Sequence, residues 1–219
     1  MPRESKVDKK KRTAKIIRKL KRKYPDARTA LNYSNPLELL VATILSAQCT
    51  DKKVNEVTPD LFARYGTAEE YANADAEELE RAIRATGFYR NKTKSIRKAC
   101  AQLVEQHDGK VPQSMDELVA LPGVARKTAA VVLGNAFGIN AGIPVDTHVR
   151  RLAMRMKLTH RKKSQTDKIE QDLMALVAQR DWTTFAHLLT WHGRRTCTAR
   201  KPDCDDCVVN DLCPSAFKV

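Results

Sequence analysis

Apolar positions recur along this chain at helical spacing, and no convincing run of alternating β-branched residues marks a strand. "TAKIIRKLKRKY" places Ile16, Ile17 and Leu20 on one face, so this basic segment is expected to dock on a body. "NPLELLVATILSAQCT" predicts a helix from Pro36, in its first turn, to about Gln48. "TDKKVNEVTPDLFARY" predicts another, capped by Thr50 or Asp51 and broken near Pro59. "ADAEELERAIRATG" starts at the cap residue Asp75 and stops at Gly87, and "NKTKSIRKACAQLVEQHDG" stops in the same way at Gly109. In "SMDELVALPG", Ser114 stands three residues before Glu117, the spacing of a capping box. Short capped helices joined by tight turns make an all-α protein of about ten helices. Glycines and Pro144 interrupt the helices between Gly138 and Asp146, where two lobes can join.

Charge narrows the partners. The 219 residues carry a formal charge of +14, and residues 1–23 hold twelve Lys or Arg against Glu4 and Asp8. That arm contributes +10 and leaves +4 for the rest, so a polyanionic partner is expected; charge alone does not separate nucleic acid from an anionic membrane. The first ten or so residues also read as a solvated tail. The most apolar run, Leu39 to Ala47, is far shorter than the roughly 20 residues that span a bilayer. The basic N-terminus is followed by no apolar stretch, so a secretory signal is not expected, and the six cysteines are expected in a reducing compartment without disulfides. Cys49 and Cys100 read as small buried residues on helices.

Two stretches carry chemistry. "DELVALPGVARKTAAVVLGNAF" is a helix, a hairpin turn and a second helix showing Ala129, Val132, Leu133, Ala136 and Phe137 on one face. The turn points consecutive backbone N–H groups outward at a helix start, where the peptide dipoles favour an anion such as phosphate. Main-chain contacts of that kind hold nucleic acid without reading its sequence. By its residue type alone, Lys127 is a surface lysine meeting phosphate, and Asp146 is the N-cap of the following helix. The second stretch, "CTARKPDCDDCVVNDLC", sets Cys197, Cys204, Cys207 and Cys213 in C-x6-C-x2-C-x5-C spacing, which closes on a metal centre. Zinc on four thiolates is one reading, although zinc ribbons use two short knuckles and this segment has one.

"LPGVARKTAAVV" followed by "PVDTHVRR" resembles the helix-hairpin-helix and Gly/Pro-Asp signature of DNA base-excision glycosylases. The lysine in "RKTA" is similar to that of the endonuclease III branch, and "SAQCTD", "ATGFYRNK", "HGRRTC" and the cysteines extend the resemblance from about Arg12 to Cys213. One departure is Ala125, where the family pattern has a second glycine; at positive φ an alanine costs roughly 1 kcal/mol or more.

The resemblance implies two helical lobes with a DNA groove between them. One is a six-helix barrel over 29–141 with the hairpin; the other joins 1–28 to 142–219 and holds the cysteine loop. It implies that Lys127 is the nucleophile of a glycosylase and abasic-site lyase, its ammonium form disfavoured by the helix start, partial burial and Arg126. Asp146 becomes the catalytic carboxylate, and His148 a structural or phosphate contact. Phe88 takes the place of the family's leucine wedge, and Gln48 that of the glutamine filling the gap in the base stack. Leu121, Gly123, Ala125 and Arg126 belong to the hairpin contact with DNA. Arg200 and Lys201, with Arg194 and Arg195, offset a cluster's charge and meet phosphates. The cysteine spacing becomes that of the family's 4Fe-4S loop. The expected substrate is duplex DNA with damaged pyrimidines or abasic sites, acted on by a monomer, in the cytoplasm beside the nucleoid if the source is bacterial. Two other readings stand beside it. An adenine-mismatch glycosylase usually lacks this lysine and carries a further C-terminal domain, whereas nothing follows Val219 here. A non-catalytic DNA-binding module would use the same hairpin.

Overall fold

The computed structural model describes residues 4–218. Among them are eleven α-helices and three short 3-10 turns, with no strand. None of the helices is long and apolar enough to cross a membrane. The chain divides into two compact units, Ala30–Ile139 and the described parts of Met1–Thr29 with Asn140–Val219.

The unit Ala30–Ile139 holds α2 (Pro36–Leu45), α3 (Asp51–Arg64), α4 (Ala68–Asn73), α5 (Ala76–Ile83), α6 (Tyr89–His107), α7 (Met115–Ala120) and α8 (Arg126–Ala136). Local chemistry fixes most of the starts. The side chain of Asn35 accepts from the Glu38 N–H ahead of Pro36, Thr50 accepts from Lys53, Thr67 and Glu70 form a reciprocal capping box, and Asp75 accepts from Glu78. α2 packs on α8, and α6 lies against α4 and α5. Leu39, Leu40, Leu45, Leu79, Ile83, Ile96, Leu103, Val132 and Leu133 are shut off from solvent. Each such side chain contributes about 1.5–3 kcal/mol relative to leaving it in water.

Three local expectations fail in this unit. α2 ends at Leu45, so Gln48 and Cys49 lie in a turn, Gln48 at φ 52° and Cys49 half-buried. α3 runs through Pro59 without a break, because the neighbouring Thr58 and Leu61 are buried and hold the helix against the core. Ser114 makes no side-chain cap on α7.

The other unit comprises α1 (Lys6–Lys23), α9 (Thr147–Arg155), α10 (Thr166–Met174) and α11 (Trp182–Arg195). Ile16, Leu20, Val149, Leu152, Ile169, Leu173, Phe185, Leu188, Leu189 and Val209 form its core. Helix α1 begins at Lys6, with Ser5 accepting from the Asp8 N–H, so much of the expected tail is helical; residues 1–3 of that tail lie outside the described residues. Part of the arm's charge is used internally. Arg12 donates to the carbonyls of Met156 and Leu212 at 3.0 Å, and Lys19 and Lys21 pair with Asp211 and Asp181 at 2.8 and 2.7 Å.

Candidate functional site

The hairpin is anchored from below. Leu121 (2% exposed) and Val124 are buried, and the Val124 N–H donates to the Leu121 carbonyl at 3.1 Å. Between them Gly123 adopts φ 79°, and a Cβ there would stand 2.6 Å from Cβ and Oγ of Ser95. Both facts demand glycine. Ala125 has φ −81°, extended backbone that any residue adopts, so the strain anticipated for it is absent. Ala125 is the N-cap of α8 and has no side-chain acceptor to offer the first N–H groups of α8. Around them Gly123, Ala125, Arg126 and Lys127 are exposed. A helix start without a side-chain cap, flanked by two cations, favours a phosphate.

Lys127, the second residue of α8, is exposed. The burial expected for it is therefore not supplied by the protein, because the first turn of α8 stands at the surface.

Three exposed residues of the same unit carry left-handed backbone without being glycine: Gln48 at φ 52°, Phe88 at φ 48° and Asp108 at φ 50°, the last as the C-cap of α6. Such conformations cost roughly 1–2 kcal/mol each and gather at functional sites. Phe88 is 61% exposed and so is no part of the core. An aromatic ring held out into water by a strained turn is suited to insertion into another apolar stack.

In the other unit Asp146 caps α9. Its Oδ1 accepts from the Val149 N–H at 2.7 Å and its Oδ2 from the Thr190 hydroxyl at 3.3 Å, so both oxygens are oriented. Two histidines lie within its field. Burial pushes His187 down to about 4, and it also lowers His148; Asp146 opposes the shift in both and does not overcome it. Both rings are thus neutral at pH 7. His148 Nδ1 lies 3.3 Å from Nη2 of Arg151, and the ring also meets the Gly193 backbone. Thr190 and His187 escaped the sequence reading because they reach Asp146 across more than 40 positions, with no motif to link them.

The four cysteines line one cavity together with Arg155, Met156, His192 and Val209. Among the described residues, no three His, Cys, Asp or Glu side chains converge on a point that would hold a single metal ion. The sulfurs are met by donors: Arg155 Nη1 reaches Cys197 Sγ at 3.2 Å, and His192 Nε2 lies 3.4 Å from Cys207 Sγ. Backbone N–H groups of Val209 and Ser215 donate to Cys207 and Cys213. Burial raises the pKa of both thiols, and those backbone donors oppose the shift. Arg155 also donates to the carbonyls of Thr198 and Ala199, and Arg151 to those of Gly193 and Cys197. These two arginines of α9 hold the start of the loop, a role that the sequence did not disclose. Arg195, expected beside the cysteines' charge, instead lies over the Trp191 ring at 4.1 Å. Arg200 and Lys201 are exposed on the loop.

Comparison with known proteins gives a consistent answer. Residues 41–179 match the HhH-GPD superfamily of base excision DNA repair proteins, and residues 197–213 match the iron-sulfur binding domain of endonuclease III. Endonuclease III of Synechocystis is 55% identical over 210 residues, covering 96% of this chain and 95% of the relative. That of Escherichia coli is 41% identical over 204 residues, covering 93% and 95%. A solved non-covalent endonuclease III–DNA complex superposes with a TM-score of 0.89 at 42% identity, over 94% of this chain and 96% of the other. A trapped covalent endonuclease III–DNA intermediate gives a TM-score of 0.89 at 41% identity, over the same shares.

Proposed function

The chain belongs to the endonuclease III branch of the HhH-GPD superfamily of base excision DNA repair proteins, and on that premise we propose that it is a DNA glycosylase and abasic-site lyase acting on oxidised pyrimidines in duplex DNA. What carries the reading is Lys127, an amine on the second residue of a helix without a side-chain cap, next to a glycine turn at a helix start that suits a phosphate.

The chemistry follows from that placement. The Lys127 amine attacks C1′ of the damaged nucleotide, and the base leaves with the electron pair of the glycosidic bond and takes up a proton. Loss of the ring oxygen from C1′ gives a Schiff base. This acidifies a C2′ proton, and its removal expels the 3′ phosphate by β-elimination. Water then releases the lysine. The amine attacks only when unprotonated, and since Lys127 is exposed in the free protein, the DNA that closes over it must exclude the water. Asp146, its carboxylate held by Val149 and Thr190, is suited to stabilising positive charge on the sugar as the base departs. This role requires Lys127 and Asp146 to act on the same nucleotide.

Gln48 and Phe88 are assigned to the space left by the extruded nucleotide, and Arg126, Arg200 and Lys201 to phosphates. Cys197, Cys204, Cys207 and Cys213 would hold a 4Fe-4S cluster. A cavity lined by all four cysteines, whose spacing has a single short knuckle, suits the family's 4Fe-4S cluster better than a zinc ribbon. When bound, the cluster crosslinks the loop and adds a negative charge that Arg155 is placed to offset. If the source is bacterial, the cytoplasm beside the nucleoid is the place of action.

Borohydride trapping on duplex DNA with an abasic site tests the reading. Wild-type protein should yield a covalent adduct, and Lys127→Gln should lose it by more than about a hundredfold while retaining DNA affinity. An adduct that persists in Lys127→Gln, or none with wild type, would overturn the assignment. Iron content and a yellow-brown absorbance distinguish the cluster from zinc.

A further inference from the structure

Lys92, on α6, is a cation where the core should tolerate none: it is 5% exposed. Its Nζ donates to two main-chain carbonyls, Leu45 at 2.7 Å and Thr86 at 2.8 Å. Leu45 is the last residue of α2, and Thr86 the last of the 3-10 turn Arg84–Thr86. Carbonyls at a helix end have no partner within the helix and carry the negative end of its dipole, so one ammonium neutralises two helix ends at once. Burial lowers the pKa of Lys92, which measures what it costs to keep a charge there.

What emerges beyond each carbonyl gives the cation its meaning. Gln48 follows Leu45 by three residues and Phe88 follows Thr86 by two, and both have left-handed backbone. Each turn has hydrogen bonds of its own, from Cys49 N–H to the Ser46 carbonyl and Ser46 Oγ to that of Thr43, and from Gly87 N–H to the Arg84 carbonyl and Thr86 Oγ1 to that of Ile83. These are confined to one turn, whereas Lys92 joins the two. If the site called only for filled volume, a leucine or methionine would serve without the cost of desolvating an ammonium. Only a donor with at least two protons, on a stem long enough to reach from α6, joins the two carbonyls.

We propose that Lys92 is a positioning residue that ties the Gln48 and Phe88 turns into one rigid pair, so that both side chains enter the duplex together. The inference rests on the reading of Gln48 and Phe88 as the residues that fill the opened stack. Strained turns persist only where surrounding structure over-determines them, and the shared ammonium supplies that constraint for both.

The test uses the full, cluster-loaded chain and an oligonucleotide with one abasic site, as a single strand and in a duplex with 2-aminopurine opposite the site. Borohydride trapping gives the duplex-to-single-strand rate ratio, and 2-aminopurine fluorescence reports unstacking of the opposite base. Lys92→Met should lower the ratio about tenfold and reduce the fluorescence rise, as Phe88→Ala does. If Phe88→Ala lowers the ratio and Lys92→Met retains the wild-type value, the tie is refuted and the wedge reading stands. A wild-type ratio in Phe88→Ala refutes the wedge reading itself, and the tie with it. Parallel slowing on both substrates by Lys92→Met, with a wild-type ratio, makes Lys92 a mere support of the fold and also refutes the proposal. Should Lys92→Met fail to fold, Lys92→Gln, whose shorter amide reaches one carbonyl at most, decides on the same ratio: an intermediate value supports the tie and a wild-type value sinks it.

Discussion

The hairpin and the cysteine loop are built on opposite plans. At the hairpin the main chain shapes the candidate phosphate site: Gly123 bends, and Ala125 gives α8 no side-chain cap. The cysteine loop is held mainly by side chains, with Arg151 and Arg155 donating to five acceptors at the loop and His192 and backbone N–H groups meeting sulfur, although Arg151 Nε is buried without a partner. A site for a transient polyanion gains from leaving groups unsatisfied in the free protein. A site for a resident centre must satisfy nearly everything, because an unpaired buried group costs about 1–3 kcal/mol. The contrast teaches where damage should spread and where it should stay local.

Removing a sulfur tests it most severely. Cys207→Ser should lose most of the iron and its absorbance, and the helices of the unit with α1 should lose hydrogen-exchange protection while Ala30–Ile139 retains its own. Equal loss in both units would break the contrast.

Acid is the next lever. His187 titrates near 4 in the folded chain and near 6.5 when unfolded, so the unfolded state binds more protons between those values. Its contribution is complete above about pH 6.5 and is lost as pH falls towards 4, by roughly 3 kcal/mol at most. Denaturation midpoints measured across that window should fall in wild type and fall less in His187→Gln, where His192, likewise pushed down to about 4, still titrates.

Gly123→Ala should cost about 2 kcal/mol, from the left-handed backbone and the approach of Ser95, and should show in the melting temperature together with weaker DNA binding. The smallest and sharpest effect is expected from Ala125→Ser. A hydroxyl at that position caps α8 and should stabilise the chain by about 0.5–1 kcal/mol, yet weaken DNA binding by competing for the same N–H groups. A variant that gains both stability and affinity would contradict the idea that the missing side-chain cap serves DNA binding.

The same contrast governs what could be read from the sequence. The Pro-Gly turn, the helix following it and the cysteine spacing are local, and each was legible because residues a few positions apart decide it. Ala125 misled, because the family's glycine suggested a positive φ that the backbone does not need. Lys127 was expected to be partly buried, and exposure is a property of the assembled surface that a local pattern does not encode. Lys92, Thr190 and Arg155 stayed hidden, since their partners lie 47, 44 and 42 positions away and nothing in the intervening sequence signals the meeting. Ser114 had the right spacing for a cap and makes none.

The discontinuity of the unit with α1 has a consequence for biosynthesis. Ile16 and Leu20 leave the ribosome first, yet the apolar residues they pack with, from Ile143 to Val209, are translated more than a hundred positions later. All of Ala30–Ile139 can fold in that interval. The nascent helix therefore waits with its greasy stripe uncovered, and maturation ends only when the last cysteine emerges.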